Sequence, residues 1–240
     1  MFENIIKNVH NRHPLIHCIT NYVSINDCAN IVLACGGAPI MAEDINEVSQ
    51  ITSICQGLDI NIGMLNDNKL SSMLKAGATA NELGIPVILD PVGAGSSDYR
   101  IKAVQNLMSN VQFGVIRGNV SEIKAIAAKQ GIHNIAVGVY ETMQKNKSAM
   151  GVEAGIADKI TDDNIKEMAD FINKLSQKTG AVIAVTGGID MVADENRVYA
   201  IRNGHKMMSL VTGAGCQLSA LTSAYVAADK EHILESVCAA

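Results

Sequence analysis

The sequence predicts an α/β fold in which a central, mostly parallel β-sheet is covered by helices on both faces. Two observations support this prediction. Short apolar runs, such as 15–19, 86–89 and 181–185, alternate along the chain with longer segments of helical apolar spacing. Strands that are apolar along their whole length are buried on both sides, as in parallel sheets flanked by helices. Glycines and polar residues repeatedly follow the apolar runs, as α/β loops require.

The first half of the chain divides into elements at its glycines and prolines. An amphipathic helix ends near Pro14, and Ser24 followed by Asp27 resembles a capping box at the start of the next helix. Gly36 and Gly84 follow apolar helical segments, as glycines do at helix ends. The predicted order is helix 1–14, strand 15–19, helix 24–35, strand 38–41, helix 43–56, strand 58–62, helix 69–83 and strand 86–89.

The second half continues the alternation and ends in helices. We predict helix 101–109, strand 111–116, helix 120–129, helix 162–179, strand 181–185, a hairpin of strands 191–193 and 197–201, and helices 217–228 and 233–240. Residues 135–155 are the least regular part, and the Lys-Asn-Lys run at 145–147 is interpreted as a solvated loop. Without repeats or linkers, residues 1–240 are expected to form one domain. Because the last helical pattern runs to the final residue, we expect the natural fold to extend further.

Composition excludes several classes of partner. The chain has a net charge of −5, no Trp and 3% aromatic residues, which argues against a nucleic-acid or anionic-membrane partner. With 48% hydrophobic and 18% charged residues, the chain must bury a large core or hide apolar surface in an oligomer. No apolar run approaches the ~18 residues of a membrane helix, and the N-terminus lacks the apolar core of a signal peptide, so we expect a cytoplasmic protein.

The six cysteines show no C-x-x-C pair and no clustering with histidines. We therefore expect neither a zinc site nor a disulfide framework, and we interpret most of the cysteines as small buried apolar residues.

A glycine turn before the helix at 217–228 is the strongest local signal. Gly213 and Gly215, in Val-Thr-Gly-Ala-Gly-Cys, allow a tight turn whose N–H groups and helix dipole favour an anion, phosphate above all. Cys216 lies at the start of this helix, a position that lowers a thiol's pKa. A glycine-rich connection before a buried helix is an equally weighted interpretation.

Polar residues collect at the expected carboxyl ends of the strands, where open α/β sheets bind ligands. They are Asn21, Gly63, Asp90, Arg117-Gly118-Asn119 and Thr186-Gly187-Gly188.

Each of these signals also has a structural interpretation. Asp90 before Pro91 fits a turn, and Asn119-x-x-Glu122 fits a helix cap better than a metal site on spacing alone. Arg117 is as easily a structural ion pair. The glycines after Thr186 fit a tight turn. His17 and Met41, on apolar strands, are by default core residues.

Taken together, the signals favour phosphoryl transfer. Asp90 and Glu122 offer hard oxygen ligands for Mg²⁺, Arg117 is suited to hold phosphates, and the turn from Gly213 to Gly215 is suited to cradle the transferred group. A G-x-x-x-x-G-K-[ST] motif is absent, and Gly213-x-Gly215 lacks the third glycine of a dinucleotide-binding fingerprint.

Seven blocks of the chain resemble, in order, the hydroxyethylthiazole kinase family. They are Asn21-Tyr22-Val23, Ala38-Pro39-Ile40-Met41-Ala42, Asn61-Ile62-Gly63-Met64-Leu65-Asn66, Asp90-Pro91-Val92-Gly93-Ala94-Gly95, Arg117-Gly118-Asn119-Val120-Ser121-Glu122-Ile123, Val185-Thr186-Gly187-Gly188 and Thr212-Gly213-Ala214-Gly215-Cys216. The resemblance implies a ribokinase-like fold and ATP- and Mg²⁺-dependent phosphorylation of 4-methyl-5-(2-hydroxyethyl)thiazole in thiamine synthesis or salvage. It also implies a homotrimer with active sites at subunit interfaces. The family's Gly-Val-Asp block stands here as Gly151-Val152-Glu153.

The same resemblance implies a role for each site residue. Met41 and Gly213 would contact the thiazole, and Asn21, Val23, Gly63 and Cys216 would line its pocket. Arg117, Thr186 and Gly187 would contact ATP, and Asp90 and Glu122 would serve the magnesium. Catalysis would involve Cys216, Gly213 and Gly215. The wider ribokinase-like group has Asp where Cys216 stands, and a thiol is a weaker proton acceptor.

Three alternatives remain open. The first is a related kinase of a pyrimidine alcohol or sugar, or a nucleotide-dependent dehydratase. The second is an enzyme with Cys216 as nucleophile, which needs a basic partner such as His17 or His205. The third is a nucleotide-binding protein without catalysis.

Overall fold

The structure, a computed structural model, describes residues 1–132 and 159–240. The predictions for 135–155, including the loop at 145–147 and the block at 151–153, lie outside the described residues. The strands described are β1 (Leu15–Ile19), β2 (Ala38–Ile40), β3 (Gly57–Asn61), β4 (Val87–Asp90), β5 (Val115–Asn119), β6 (Val182–Thr186), β7 (Asp190–Ala193) and β8 (Val198–Ile201). The helices described are α1 (Phe2–Arg12), α2 (Ile25–Ala34), α3 (Val48–Ile54), α4 (Asp67–Glu82), α5 (Asp98–Asn110), α6 (Val120–Lys129), α7 (Ile165–Thr179), α8 (Ala214–Ala228) and α9 (Ile233–Ala239), with a 3₁₀ turn at Lys206–Leu210.

The strands form one sheet in the order β2-β1-β3-β4-β5-β6-β7-β8. Strands β1 to β6 all run parallel to one another, and β7 and β8 add an antiparallel hairpin next to β6. This confirms the predicted, mostly parallel sheet. The strand order reverses at β1, which has β2 on one side and β3 on the other. In doubly wound folds such a reversal opens a crevice at the carboxyl ends of the strands, where ligands bind.

Helices cover both faces of the sheet, as predicted. One core joins aliphatic strand residues such as Leu58, Ile60 and Leu89 to helices α3 to α7. On the opposite face, β1 residues such as Ile16 and Cys18 pack with α1, α2 and α8, and Ile88 and Val115 pack with α8 and α9. Successive strand residues point to opposite faces, so each strand contributes to both cores.

Helix α8 packs closely on the sheet because its buried face consists mainly of small residues, among them Ser219, Ala220 and Ala224. A Cβ added to Gly57 on β3 would lie 3.1 Å from the Cβ of Ala227 and 3.2 Å from the carbonyl oxygen of Ser223. The sheet and the helix backbone are therefore in near contact. This packing places the first turn of α8 over the carboxyl ends of the strands.

One predicted helix start and one predicted helix cap are wrong. The helix predicted from residue 43 begins only at Val48, because Asp44 Oδ1 accepts a hydrogen bond from the Asn46 N–H at 2.9 Å and forms a turn there. The capping box predicted at Ser24 is not formed. Ser24 Oγ instead donates to Asn21 Oδ1 at 3.1 Å, which commits the hydroxyl to the loop before α2.

The strand predicted from residue 111 begins at Val115. Before it, the Gln112 N–H donates to Asn81 Oδ1 at 2.7 Å, and Asn81 Nδ2 donates back to the Gln112 carbonyl at 2.9 Å. A side chain from the end of α4 thus occupies the backbone groups that a longer strand would have paired. The 3₁₀ turn before α8 was not predicted either.

In 1–132 and 159–240, no helix combines the length and the apolar character needed to cross a bilayer.

Candidate active site

The sheet brings most of the predicted site residues together at the carboxyl ends of its parallel strands. Asn21 follows β1, Gly63 follows β3, Asp90 ends β4, Arg117 lies within β5 and Thr186 ends β6. The register pairs Asn61 with Asp90 and Asn119 with Thr186, so these strand ends are level with one another. Gly213 and Cys216, at the start of α8, lie above the same strand ends.

A row of hydrogen-bonded side chains connects the start of α8 to the middle of the sheet. Asn21 Nδ2 donates to Cys216 Sγ at 3.1 Å and lies 3.3 Å from Asn61 Oδ1. Asn61 Nδ2 in turn donates to Asp90 Oδ2 at 2.8 Å. All four side chains are buried. The contacts fix both amide orientations, because Asn21 Oδ1 accepts from Ser24 and Asn61 Oδ1 accepts from the Gly63 N–H while both Nδ2 atoms donate within the row.

Asp90 is the fully buried carboxylate of this row. Its Oδ2 atom also accepts a hydrogen bond from Ser219 Oγ at 2.8 Å and lies 3.6 Å from Arg117 Nη1. Burial raises the pKa of Asp90, while Arg117, Ser219 and Asn61 act in the opposite direction. Its Oδ1 atom has no hydrogen-bond partner among the described residues. A buried carboxylate oxygen without a protein partner fits a ligand of Mg²⁺, which takes one or two carboxylates and completes its shell with water and phosphate oxygens.

Arg117 carries positive charge to the first turn of α8. Its Nη2 atom donates to Thr186 Oγ1 at 2.8 Å. Its Nη1 atom lies so near Gly215 that an added Cβ there would be 2.8 Å away. Helix α8 has no side-chain cap, since Gly213 is its N-cap residue in the left-handed conformation with φ +74°. A guanidinium beside an uncapped helix N-terminus is an electrostatic environment suited to phosphate.

Glu122 forms the capping box that its spacing predicted. Its Oε2 atom accepts from the Asn119 N–H at 2.8 Å, and Asn119 Oδ1 accepts from the Glu122 N–H at 2.9 Å. Its Oε1 atom also accepts from the Gly93 N–H at 2.8 Å, which ties α6 to the loop after β4. Burial, followed by the charge of Asp90, raises the pKa of Glu122. Carboxylate oxygens have further lone pairs, so capping leaves room for a metal-bound water.

The prediction of a lowered Cys216 pKa is wrong. Burial, together with the nearby charge of Asp90, raises the pKa of this thiol above its ordinary value. Cys216 is only 8% exposed, and burial removes the solvation that a thiolate needs. The thiol is therefore protonated at neutral pH.

Neither histidine named as a partner for a nucleophilic Cys216 is placed to act on it. His17 is buried, and its ring nitrogens contact Thr52 Oγ1 at 2.9 Å and the Ala42 carbonyl at 2.8 Å. Burial lowers the pKa of His17, as expected for a core histidine. The His205 ring accepts from the Met207 N–H in the 3₁₀ turn. The arrangement therefore does not favour a cysteine-nucleophile enzyme.

The residues expected around the substrate differ in how far they are buried and in what they contact. Met41 is half-buried and packs against the core that contains Cys216. The Gly63 N–H donates to Asn61 Oδ1 at 2.8 Å. At Gly213, an added Cβ would lie only 2.5 Å from the Cβ of Ser24, which places the glycine turn against the loop after β1. Val23 is 67% exposed, so this chain alone does not enclose it.

The family model for the "Hydroxyethylthiazole kinase family" matches residues 6–240. The chain belongs to the hydroxyethylthiazole kinase family. A hydroxyethylthiazole kinase of Clostridium acetobutylicum is 51% identical over 243 residues, covering 100% of this chain and 83% of the relative. One from Methanobrevibacter smithii is 43% identical over 224 residues, covering 93% of this chain and 75% of the relative.

Solved structures agree with this assignment. The hydroxyethylthiazole kinase protein of Pyrococcus horikoshii OT3 superposes with a TM-score of 0.82 at 32% identity, covering 99% of this chain and 80% of that one. A ribokinase-like superfamily protein of Enterococcus faecalis superposes with a TM-score of 0.59 at 11% identity, covering 98% of this chain and 76% of that one. At that identity the similarity concerns the fold alone, and it confirms the ribokinase-like architecture.

One residue of the row, Asn61, and one residue beside it, Ser219, were not predicted as site residues. Asn61 lies in the Asn-Ile-Gly block and joins Asn21 to Asp90. Ser219 lies three residues after Cys216, on the same face of α8, and this spacing would have identified it. Lys69 was also missed; it is a buried lysine at the start of α4.

Proposed function

We propose that this chain transfers the γ-phosphoryl group of ATP to the hydroxyl group of 4-methyl-5-(2-hydroxyethyl)thiazole, as a step of thiamine synthesis or salvage. The observation that carries the proposal is the arrangement around Asp90. Arg117 and the uncapped start of α8 offer a positive phosphate site, and the neutral row of Cys216, Asn21 and Asn61 lies directly beside it. Membership of the hydroxyethylthiazole kinase family supports the choice of substrate.

The thiazole would bind between the loops after β1 and β2. Met41 and Gly213 would contact the ring, while Asn21, Val23, Gly63 and Cys216 would line the pocket. These residues are apolar or neutral, which suits a neutral heterocycle. Cys216 and Asn21 would hold the substrate hydroxyl in line with the phosphoryl group. A protonated thiol suffices here, because in a loose transition state the alcohol proton need not leave before the phosphoryl group transfers.

ATP would bind along the ends of β5 and β6. Arg117, Thr186 and Gly187 would contact the nucleotide, and the N–H groups of the turn from Gly213 to Gly215 would stabilise the charge on the transferred group. The hydrogen bond from Arg117 to Thr186 holds the guanidinium in this position before the nucleotide arrives.

Asp90 and Glu122 would serve a magnesium ion, Asp90 through its unpartnered oxygen and Glu122 through water. When bound, the ion neutralises charge on the phosphate oxygens. Asp90 must be ionised to serve it; burial raises the pKa of Asp90, and Arg117, Ser219 and Asn61 oppose this rise by favouring the ionised form.

We also propose a cytoplasmic homotrimer of one kinase domain spanning residues 1–240, with active sites at subunit interfaces. Exposed apolar side chains lie beside the site, in the loop after β1 and before α8. They are Tyr22, Val23, Met207, Met208, Leu210 and Val211. Burying them against a second subunit would enclose Val23. Light scattering tests this point, since a trimer has three times the 25.4 kDa mass of the chain.

Release of ADP on mixing the protein with ATP, Mg²⁺ and the thiazole alcohol tests the activity. We expect release that requires all three components and is absent with a pyrimidine alcohol or ribose.

Arg117→Met should raise the KM for ATP roughly tenfold or more. Arg12→Met is the matched control, because Arg12 is an exposed arginine at the end of α1, where it contacts the Ala228 carbonyl near the start of β1 and far from the carboxyl ends of the strands. Faster ADP release with the pyrimidine alcohol would assign the chain to that class of kinase, and nucleotide binding without turnover of any alcohol would leave only a binding protein.

A further inference from the structure

Lys69 is a buried cation at a position where helices disfavour positive charge. It lies in the first turn of α4, where the helix dipole favours acidic residues. Its side chain is only 3% exposed. Burying an ammonium group is costly unless its hydrogen bonds are satisfied, so the contacts of this group should account for its place.

The ammonium group has two hydrogen-bond acceptors and one aromatic contact. Lys69 Nζ donates to the carbonyl oxygen of Thr20 and pairs with Glu43 Oε2 at 2.8 Å. The face of the Tyr22 ring lies over it, with 4.6 Å between Nζ and the ring centroid. The Tyr22 hydroxyl also donates to Glu43 Oε1, which closes the set.

These partners belong to two different loops. Thr20 and Tyr22 flank Asn21 in the loop after β1, and Glu43 lies two residues after Met41 in the loop after β2. The second loop is also held from the core, where His17 Nε2 contacts the Ala42 carbonyl at 2.8 Å. The Lys69 ammonium therefore fixes the separation of the loops that carry Asn21 and Met41.

We infer that Lys69 is a positioning residue that sets the width of the substrate pocket by clamping these two loops together, an inference that rests on the proposed function. It does not touch the substrate; it acts through Asn21 and Met41. Loss of the clamp weakens binding of the alcohol and leaves the nucleotide edge, at β5 and β6, unchanged.

Kinetics of Lys69→Met, Glu43→Gln and Lys102→Met test the inference. Lys102 is an exposed lysine on α5, so its variant controls for loss of one charge. We expect Lys69→Met to raise the KM for the thiazole alcohol roughly tenfold while the KM for ATP stays within about twofold. Glu43→Gln, at a side chain that is 40% exposed, should raise the KM for the thiazole alcohol by less. A parallel rise of both KM values, or no change in either clamp variant, would overturn the inference.

Hydrogen–deuterium exchange supplies a readout that does not depend on activity. Amides at 20–23 and 41–46 should exchange faster in Lys69→Met and Glu43→Gln than in Lys102→Met, and amides of β3 and β4 should not change. Equal exchange in all variants would refute the clamp. If the wild-type protein releases no ADP with the thiazole alcohol, the proposed function fails, and the exchange data alone decide the inference.

Discussion

The side-chain amide of Asn21 donates a hydrogen bond to the sulfur of Cys216, with 3.1 Å between Nδ2 and Sγ. This contact joins the loop after β1 to the first turn of α8 and makes the thiol an acceptor. Burial raises the pKa of the thiol, so Cys216 is unsuited to act as a strong base, which supports the proposed role of orienting the substrate hydroxyl.

Substitution of Cys216 tests this orienting role. Cys216→Asp keeps an acceptor for the Asn21 amide and should remain active. Cys216→Ala removes the acceptor and should lower kcat by roughly tenfold or more. Steady-state kinetics measure both, with circular dichroism to check the fold. Complete loss of turnover in a folded Cys216→Asp protein would show that the orienting role is wrong.

Glu122→Gln separates helix capping from metal binding. Glutamine has one oxygen where the glutamate offers two to the N–H groups of Gly93 and Asn119, so one of these bonds is lost. We expect a loss of about 1 kcal/mol in the free energy of unfolding and a higher Mg²⁺ concentration for half-maximal activity. A magnesium titration that matches the wild type, alongside lowered stability, would assign Glu122 to capping alone.

Gly215→Ala should act on the nucleotide through Arg117. The added Cβ would lie 2.8 Å from Arg117 Nη1, so the guanidinium must move, and its bond to Thr186 is the contact at risk. We expect a severalfold rise in the KM for ATP with little change in the KM for the alcohol. Gly114→Ala is a matched control, because its Cβ would meet nothing closer than 3.8 Å. Equal kinetics in the two variants would mean that Arg117 accommodates the methyl group without cost.

The gain in the free energy of unfolding from Asp59→Asn, relative to the wild type, should increase as the pH rises. Asp59 on β3 is fully buried, and neither of its oxygens has a partner among the described residues. Burial, then the charge of Asp90, raises the pKa of Asp59 well above its ordinary value. At intermediate pH the folded state therefore keeps a proton that the unfolded chain has lost. The stability contributed by this proton is complete below the pKa of the unfolded state. It disappears as the pH rises through the pKa of the folded state.

Urea denaturation at about pH 5 and about pH 8 measures this effect, with a limiting slope of about 1.4 kcal/mol per pH unit for one proton. The advantage of Asp59→Asn over the wild type should grow between the two pH values. A constant difference would show that Asp59 binds no extra proton in the folded protein.

The sequence predicted the elements whose signals are local. Helix α6 and strand β1 were predicted at their observed bounds, because the cap at Asn119 and the apolar run after Pro14 are encoded in a few adjacent residues. The grouping of Asn21, Gly63, Asp90, Arg117 and Thr186 was predicted because parallel strands place their carboxyl ends on the same side of a sheet. The late start of β5 was missed, because Asn81 satisfies Gln112 from 31 residues away and no local pattern records that contact.

The electrostatic errors have the same origin. Position in α8 predicts a lowered Cys216 pKa, but burial is a property of the assembled fold and reverses the direction. In the sequence Lys69 is indistinguishable from an ordinary helix residue, because its contacts with Thr20 and Glu43 exist only in the folded protein. Neither desolvation nor a contact between distant loops can be read from neighbouring residues.

The near contact between Gly57 and α8 has a consequence for how this site can change. Since little more than backbone separates β3 from the helix, the height of the glycine turn above the sheet is set by rigid spacing and not by adaptable side chains. An added methyl group at Gly57 would require Ala227 and Ser223, towards the end of α8, to move by a few tenths of an ångström. The seating of α8 on the sheet therefore depends on residues at the end of the helix opposite to the glycine turn.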